Sequence, residues 1–158
     1  MSNPSPVFIG VEVLPTAGRV RNAFVYAALD EERELLAIGQ GDRDELLAYL
    51  GGQAAAIVAV SAPRRLKSGP AKKTEELLIG QGFPLEPTPG TLKGCPRWMQ
   101  ESFDLFQRLD DFGYAPYPDE ESPRQSLETR ADAIFWRLLG GKLPLVPSLE
   151  GRLQRQLI

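Results

Sequence analysis

Val7-Phe8-Ile9-Gly10-Val11-Glu12-Val13-Leu14 is an almost unbroken apolar run interrupted by one carboxylate. A run of this kind reads as a strand covered on both faces, as at the centre of an α/β sheet. Pro15 to Gly18 ends it, and a second β-rich run spans Arg21 to Leu29. Asp30-Glu31-Glu32 supplies a turn, and Arg33 to Ile38 reads as a third strand. So short a turn makes an antiparallel hairpin. Asp42 to Leu50 reads as a helix: Asp42 caps it, Glu45 completes a capping box, and Leu46, Leu47 and Leu50 form its apolar stripe. Gly51-Gly52 stops it. Ala54 to Val60 is a second continuous apolar run, hence a second buried strand. Strand, helix, strand with two buried runs implies parallel pairing through a right-handed crossover.

Beyond this core the chain becomes helical. Pro70 to Ile79 is expected as a helix, and residues 83–96 as a Pro/Gly loop. Arg97 to Asp111 is an amphipathic helix with Met99, Phe103, Phe106 and Leu109 at helical spacing. Residues 112–123 read as a polar loop, and Gln125 to Glu128 as a short strand. Thr129 is positioned to cap a helix to Leu139, Leu143 to Pro147 reads as a loop, and a last helix starts at Ser148. No repeat or domain boundary stands out, so residues 1–158 read as one domain.

Composition narrows the chemistry. The 158 residues carry 18 basic and 21 acidic side chains, a net charge of -3, which does not advertise a nucleic-acid or membrane surface. There is no His, which excludes Ser-His-Asp and Cys-His catalysis and any His-ligated metal. The single Cys95 permits neither an intrachain disulfide nor a multi-Cys metal site, and it has no His to activate it. No apolar run approaches the ~20 residues that span a bilayer, and Met1 to Pro6 lacks a signal-peptide pattern. The expected location is cytoplasmic.

Three antiparallel strands, a helix and a fourth strand parallel to the first form the opening of the ribonuclease H-like fold. In that order Glu12 and Ser61 lie near the C-terminal ends of adjacent strands, where α/β sheets place their sites. The chain resembles the domain-of-unknown-function family numbered 429, predicted to be ribonuclease H-like nucleases. The resemblance rests on Phe8-Ile9-Gly10-Val11-Glu12, Val58-Ala59-Val60-Ser61-Ala62-Pro63, Lys73-Thr74-Glu75 with Gly82 and Thr88-Pro89, Leu127-Glu128 with Phe135 to Leu139, and above all Leu149-Glu150-Gly151-Arg152-Leu153-Gln154-Arg155-Gln156. It covers nearly the whole chain.

The resemblance implies a mixed sheet flanked by helices and a metal-dependent nuclease or phosphoesterase. Glu12 and Glu128 are the catalytic and metal-ligating candidates it implies. Arg64, Arg65, Lys67, Lys72 and Lys73 form a basic loop at the expected crevice mouth, a candidate phosphate contact. The chain departs from the family at several points. Glu12 replaces the usual Asp, Ser61 stands where the family has its second Asp, and Arg130-Ala131 replaces Tyr-Pro. A late acid on a C-terminal helix lies beyond Ile158, so the domain is expected to lack its last helix or helices. Two-ion hydrolysis needs carboxylates holding ions about 4 Å apart. With two acids left, only weak magnesium or manganese binding is expected, together with a weakened or inactive nuclease. The alternative is a non-catalytic module of the same fold that binds nucleic acid or protein. A third reading, an actin-like ATPase, fits poorly because Leu14-Pro15-Thr16-Ala17-Gly18 offers only one Gly for a phosphate turn. Glu75 and Glu76 are expected on a solvated helix face, and Arg152 and Arg155 in structural pairs with acids.

Overall fold

The computed structural model describes residues 5–67, 73–141 and 148, which form two compact units. The first comprises residues up to Lys67 and Thr88–Thr129. It holds β1 (Val7–Val13), β2 (Phe24–Leu29), β3 (Leu35–Gly41), α1 (Arg43–Gly51), β4 (Ala56–Ser61), α3 (Arg97–Asp111), β5 (Ala115–Pro116) and β6 (Arg124–Glu128). The second comprises Ser68–Pro87 and the chain from Arg130, with α2 (Lys73–Gly80) and α4 (Ala131–Leu138).

The first unit is built on a six-stranded mixed sheet in the order β3-β2-β1-β4-β6-β5. β1, β2 and β3 pair antiparallel, while β1, β4, β6 and β5 run parallel. This is the α/β, ribonuclease H-like mixed sheet that the strand pattern implied. The β2–β3 turn closes through Arg33 N–H to Asp30 O and Glu34 N–H to the Asp30 carboxylate, with Arg33 at φ 65°. α1 starts as its sequence indicates: Asp42 accepts from the N–H groups of Asp44 and Glu45, and Glu45 accepts from the Asp42 N–H. The box satisfies donors that a helix start otherwise leaves open.

α1 and α3 pack one face of the sheet. Ile9, Val11 and Val13 of β1, Val58 and Val60 of β4, Leu46, Leu47 and Leu50 of α1, and Leu105, Phe106 and Leu109 of α3 form one buried cluster. Buried Tyr114 closes its rim by donating its hydroxyl to Leu50 O at 2.8 Å. Burial pushes that phenol above its ordinary pKa, opposed by the nearby Arg124. Tyr26 of β2 stacks on Tyr49 of α1 with ring centroids 4.9 Å apart. Its ring occupies the space where a Cβ on Gly39 would stand.

Several details differ from the sequence reading. β1 alternates buried and exposed residues: Ile9, Val11 and Val13 are covered, whereas Phe8, Gly10 and Glu12 are exposed. The run looks continuous because Phe8 and Gly10 are uncharged on the less covered face, not because both faces are equally buried. Strand edges move by a few residues: β2 starts at Phe24 rather than Arg21, β3 runs from Leu35 to Gly41 rather than Arg33 to Ile38, and β4 spans Ala56–Ser61. Asp30 to Glu34 is used up by the turn, which pushes β3 towards the C-terminus. Residues 112–123 contain the short β5. On α3, Leu105 and Ser102 join the buried stripe, and Phe103 is half-buried. α4 takes Arg130, not Thr129, as its N-cap, because the Thr129 N–H still extends the β-ladder to Val60 O at 2.9 Å. The start of the helix expected from Pro70, the loop at 143–147, and the Glu150, Arg152 and Arg155 readings lie outside the described residues.

Candidate functional site

The parallel register of β1 and β4 runs from Val7 opposite Ala56 to Glu12 opposite Ser61. Residues paired in register point to the same face. Glu12 and Ser61 therefore stand side by side at the C-terminal strand ends, on the face that also carries Phe8 and Gly10. Glu12 is exposed and Ser61 half-buried.

Glu128 is placed differently. On the far side of β4 it stands opposite Val60, not Ser61. That one-residue step puts it on the α1–α3 face, because alternation reverses every side chain. Its Oε2 accepts the backbone N–H of Arg64 at 2.9 Å. The structure thus brings Glu12 and Ser61 together and sets Glu128 on the opposite side of the sheet.

The basic loop divides in the same way. The Arg64 guanidinium lies 4.9 Å over the Phe106 ring, donates to Ser126 Oγ at 2.9 Å, and pairs with Asp110. Ser126 is fully buried, and Ser102 Oγ donates to Pro63 O at 2.6 Å just before this loop. A planar guanidinium suits this combination of stacking and forked donation. Arg64 therefore clamps the β4 exit onto α3 and β6. Arg65 and Lys67 are exposed, and the Lys67 N–H donates to Pro89 O at 2.9 Å. Lys73 opens α2 in the second unit, and Lys72 lies outside the described residues. The sequence offers no signal that separates Arg64 from Arg65; the difference comes from which one falls above Phe106.

In the second unit Glu75 is 4% exposed and pairs with Arg130 at 2.7 Å. It is not on a solvated face, although Glu76 is exposed. A buried carboxylate needs such a partner, since an uncompensated buried charge is strongly destabilising. Elsewhere, an open cleft of about 260 Å³ is lined by Gly18, Arg21, Asp42, Arg43 and Glu101. Most of its charges are paired: Arg43 reaches Glu101 and Asp104 at 3.3 Å each, and Arg21 lies 3.9 Å from Asp42.

A two-ion hydrolytic centre requires carboxylates converging on one crevice. At the β1–β4 strand ends the converging pair is one carboxylate and one hydroxyl, which does not fit two closely spaced cations. Among the described residues no three His, Cys, Asp or Glu side chains form a metal-holding group. No described helix is long and apolar enough to cross a membrane. Comparison with protein-family models, curated proteins and solved structures found no match.

Proposed function

We propose that this chain is a ribonuclease H-like protein, akin to family 429, whose metal-dependent nuclease chemistry is weakened or lost. The observation that supports this is the register of Glu12 with Ser61. In a working two-ion site, carboxylate charge offsets the mutual repulsion of the ions. Here a neutral hydroxyl stands at the position beside Glu12, and Glu128 is held against the Arg64 backbone on the other face. One hydrated magnesium or manganese ion on Glu12 is the most this pair supports, since magnesium is commonly held by one or two carboxylates with several waters retained. The protein then acts by binding, in the cytoplasm, a reducing compartment with which a lone Cys is compatible. Arg65 and Lys67 are the exposed basic-loop cations of the first unit, the candidate contacts to a phosphate backbone.

Calorimetric manganese titration with a parallel oligonucleotide-cleavage assay tests the proposal. Wild type is expected to bind manganese weakly and to cleave little or nothing. Ser61→Asp should tighten binding by about tenfold, the effect of ~1.4 kcal/mol from one added charge–ion contact. Glu12→Gln should abolish it. Robust metal-dependent cleavage by wild type overturns the proposal, and cleavage that persists in Glu12→Gln also moves the chemistry away from these strand ends.

A further inference from the structure

The two edges of the sheet are built differently. β5, at one end, is two residues long, and its second residue, Pro116, has no N–H to offer. Tyr117-Pro118 and the acids Asp119, Glu120 and Glu121 follow at once. Short length, proline and charge are the devices by which soluble proteins discourage strand-to-strand association. β3, at the other end, is seven residues long and contains neither proline nor a charged residue. It pairs with β2 on one side, and no described strand lies on the other. Leu35, Leu36 and Ile38 are 60%, 53% and 73% exposed.

We propose that β3 is a self-association edge, where a second copy of this chain pairs antiparallel about a two-fold axis at Ile38. A two-fold axis between identical strands requires a sequence that tolerates itself, and Leu35–Gly41 opposes no like charges. The register shift between Ala28 and Leu29 confines the irregularity of β3 to Leu36, leaving Ala37–Gly41 straight. With the axis at Ile38, its side chain meets that of the second copy. Ala37 then stands opposite Gly39 on the helix-covered face, where both are small enough to leave the Tyr26 rings in place. The outer N–H and C=O groups of both strands gain partners, and the sheet runs on across the two copies. A second copy fits better than an unrelated strand because the two flanking Ile38 side chains supply an apolar match without any further chain. Contact along one strand falls below the ~1,200 Å² at which stable interfaces begin, so this dimer is weak and reversible.

Sedimentation equilibrium on the full chain, from about 5 μM to about 500 μM, covers the affinity expected of so small an interface. The average mass of wild type should climb from that of the monomer towards twice it. Ile38→Lys sets two like charges face to face and should cut the dimer fraction at least about tenfold, with an unchanged circular-dichroism spectrum because Ile38 is already exposed. Leu92→Lys, which changes an exposed loop residue remote from β3 in sequence, should leave the mass curve as it is. Under oxidation Ile38→Cys should give a covalent dimer, since directly opposed antiparallel residues lie within disulfide reach, about 4.5–5.5 Å between Cα atoms. A wild type that stays monomeric over the whole range overturns the proposal. So does a dimer that survives Ile38→Lys, because its interface then lies elsewhere.

Discussion

The two faces of the sheet are made from the same strands and solve opposite problems. On one, Ile9, Val11, Val13, Val58 and Val60 disappear beneath Leu46, Leu50, Leu105 and Phe106. On the other, Phe8 is 41% exposed, Gly10 has open space where a Cβ would be, and Glu12 stands beside Ser61. Even the polar residues follow this division. Glu128, Ser126 and Arg64 join a bonded network on the covered side, whereas the Glu12 carboxylate stands exposed on the less covered one. Alternation along a strand is thus enough to separate stability from a potential binding function within a span of seven residues.

The contrast breaks most sharply at Phe106. Phe106→Ala empties the covered face and removes the ring beneath Arg64, and should cost about 3–5 kcal/mol of unfolding free energy in urea titrations. A loss under about 1 kcal/mol would mean that the α3 contact is not what holds this face.

Tyr114 sharpens the comparison through pH. Its phenol is pushed up by burial, so the folded chain resists ionisation that the unfolded chain permits. The stabilisation is therefore complete below the ordinary tyrosine pKa of about 10 and drains away as pH rises towards the folded value. The urea midpoint of wild type should fall as pH rises above about 10, and Tyr114→Phe should flatten part of that fall while losing about 1 kcal/mol at neutral pH with the bond to Leu50 O. An identical alkaline slope in both proteins would remove Tyr114 from the account.

The smallest effect belongs to the other face. Gly10→Ala adds a methyl that meets nothing within 4 Å and trades glycine for a residue with less backbone entropy to lose. Stability should stay level or rise by about 0.5 kcal/mol. A fall of more than about 1 kcal/mol would show that this face is packed more closely than its exposure indicates.

The order β3-β2-β1-β4 was legible because it depends on coarse features: two apolar runs, a three-residue acidic turn and a capping box; β5, inside a stretch that reads as a polar loop, and the place of β6 beside β4 were not. The helix Arg97–Asp111 was legible for the same reason, since its stripe repeats over four turns. The face on which Glu128 falls was not. β6 reads Arg-Gln-Ser-Leu-Glu, with one apolar residue in five, and an alternation of buried Ser126 with half-buried neighbours leaves no hydrophobic period to follow. A shift of one residue in that register would have moved Glu128 to the side of Glu12. Arg64 and Glu75 were hidden for a different reason: a charged side chain carries no mark of burial when its partner is distant in sequence, Asp110 and Ser126 for one, Arg130 for the other.

The last residue of β3 links a strand to a helix. A Cβ on Gly41 would fall 2.3 Å from Glu45 Oε2, the oxygen that accepts the Asp42 N–H. Glu45 is flexible enough to swing away, but only by releasing that bond. The side chain tolerated at the end of the strand and the cap of the helix that follows are therefore coupled. A residue chosen to strengthen the strand at position 41 unfastens the helix that follows, so this junction accepts improvement on neither side alone.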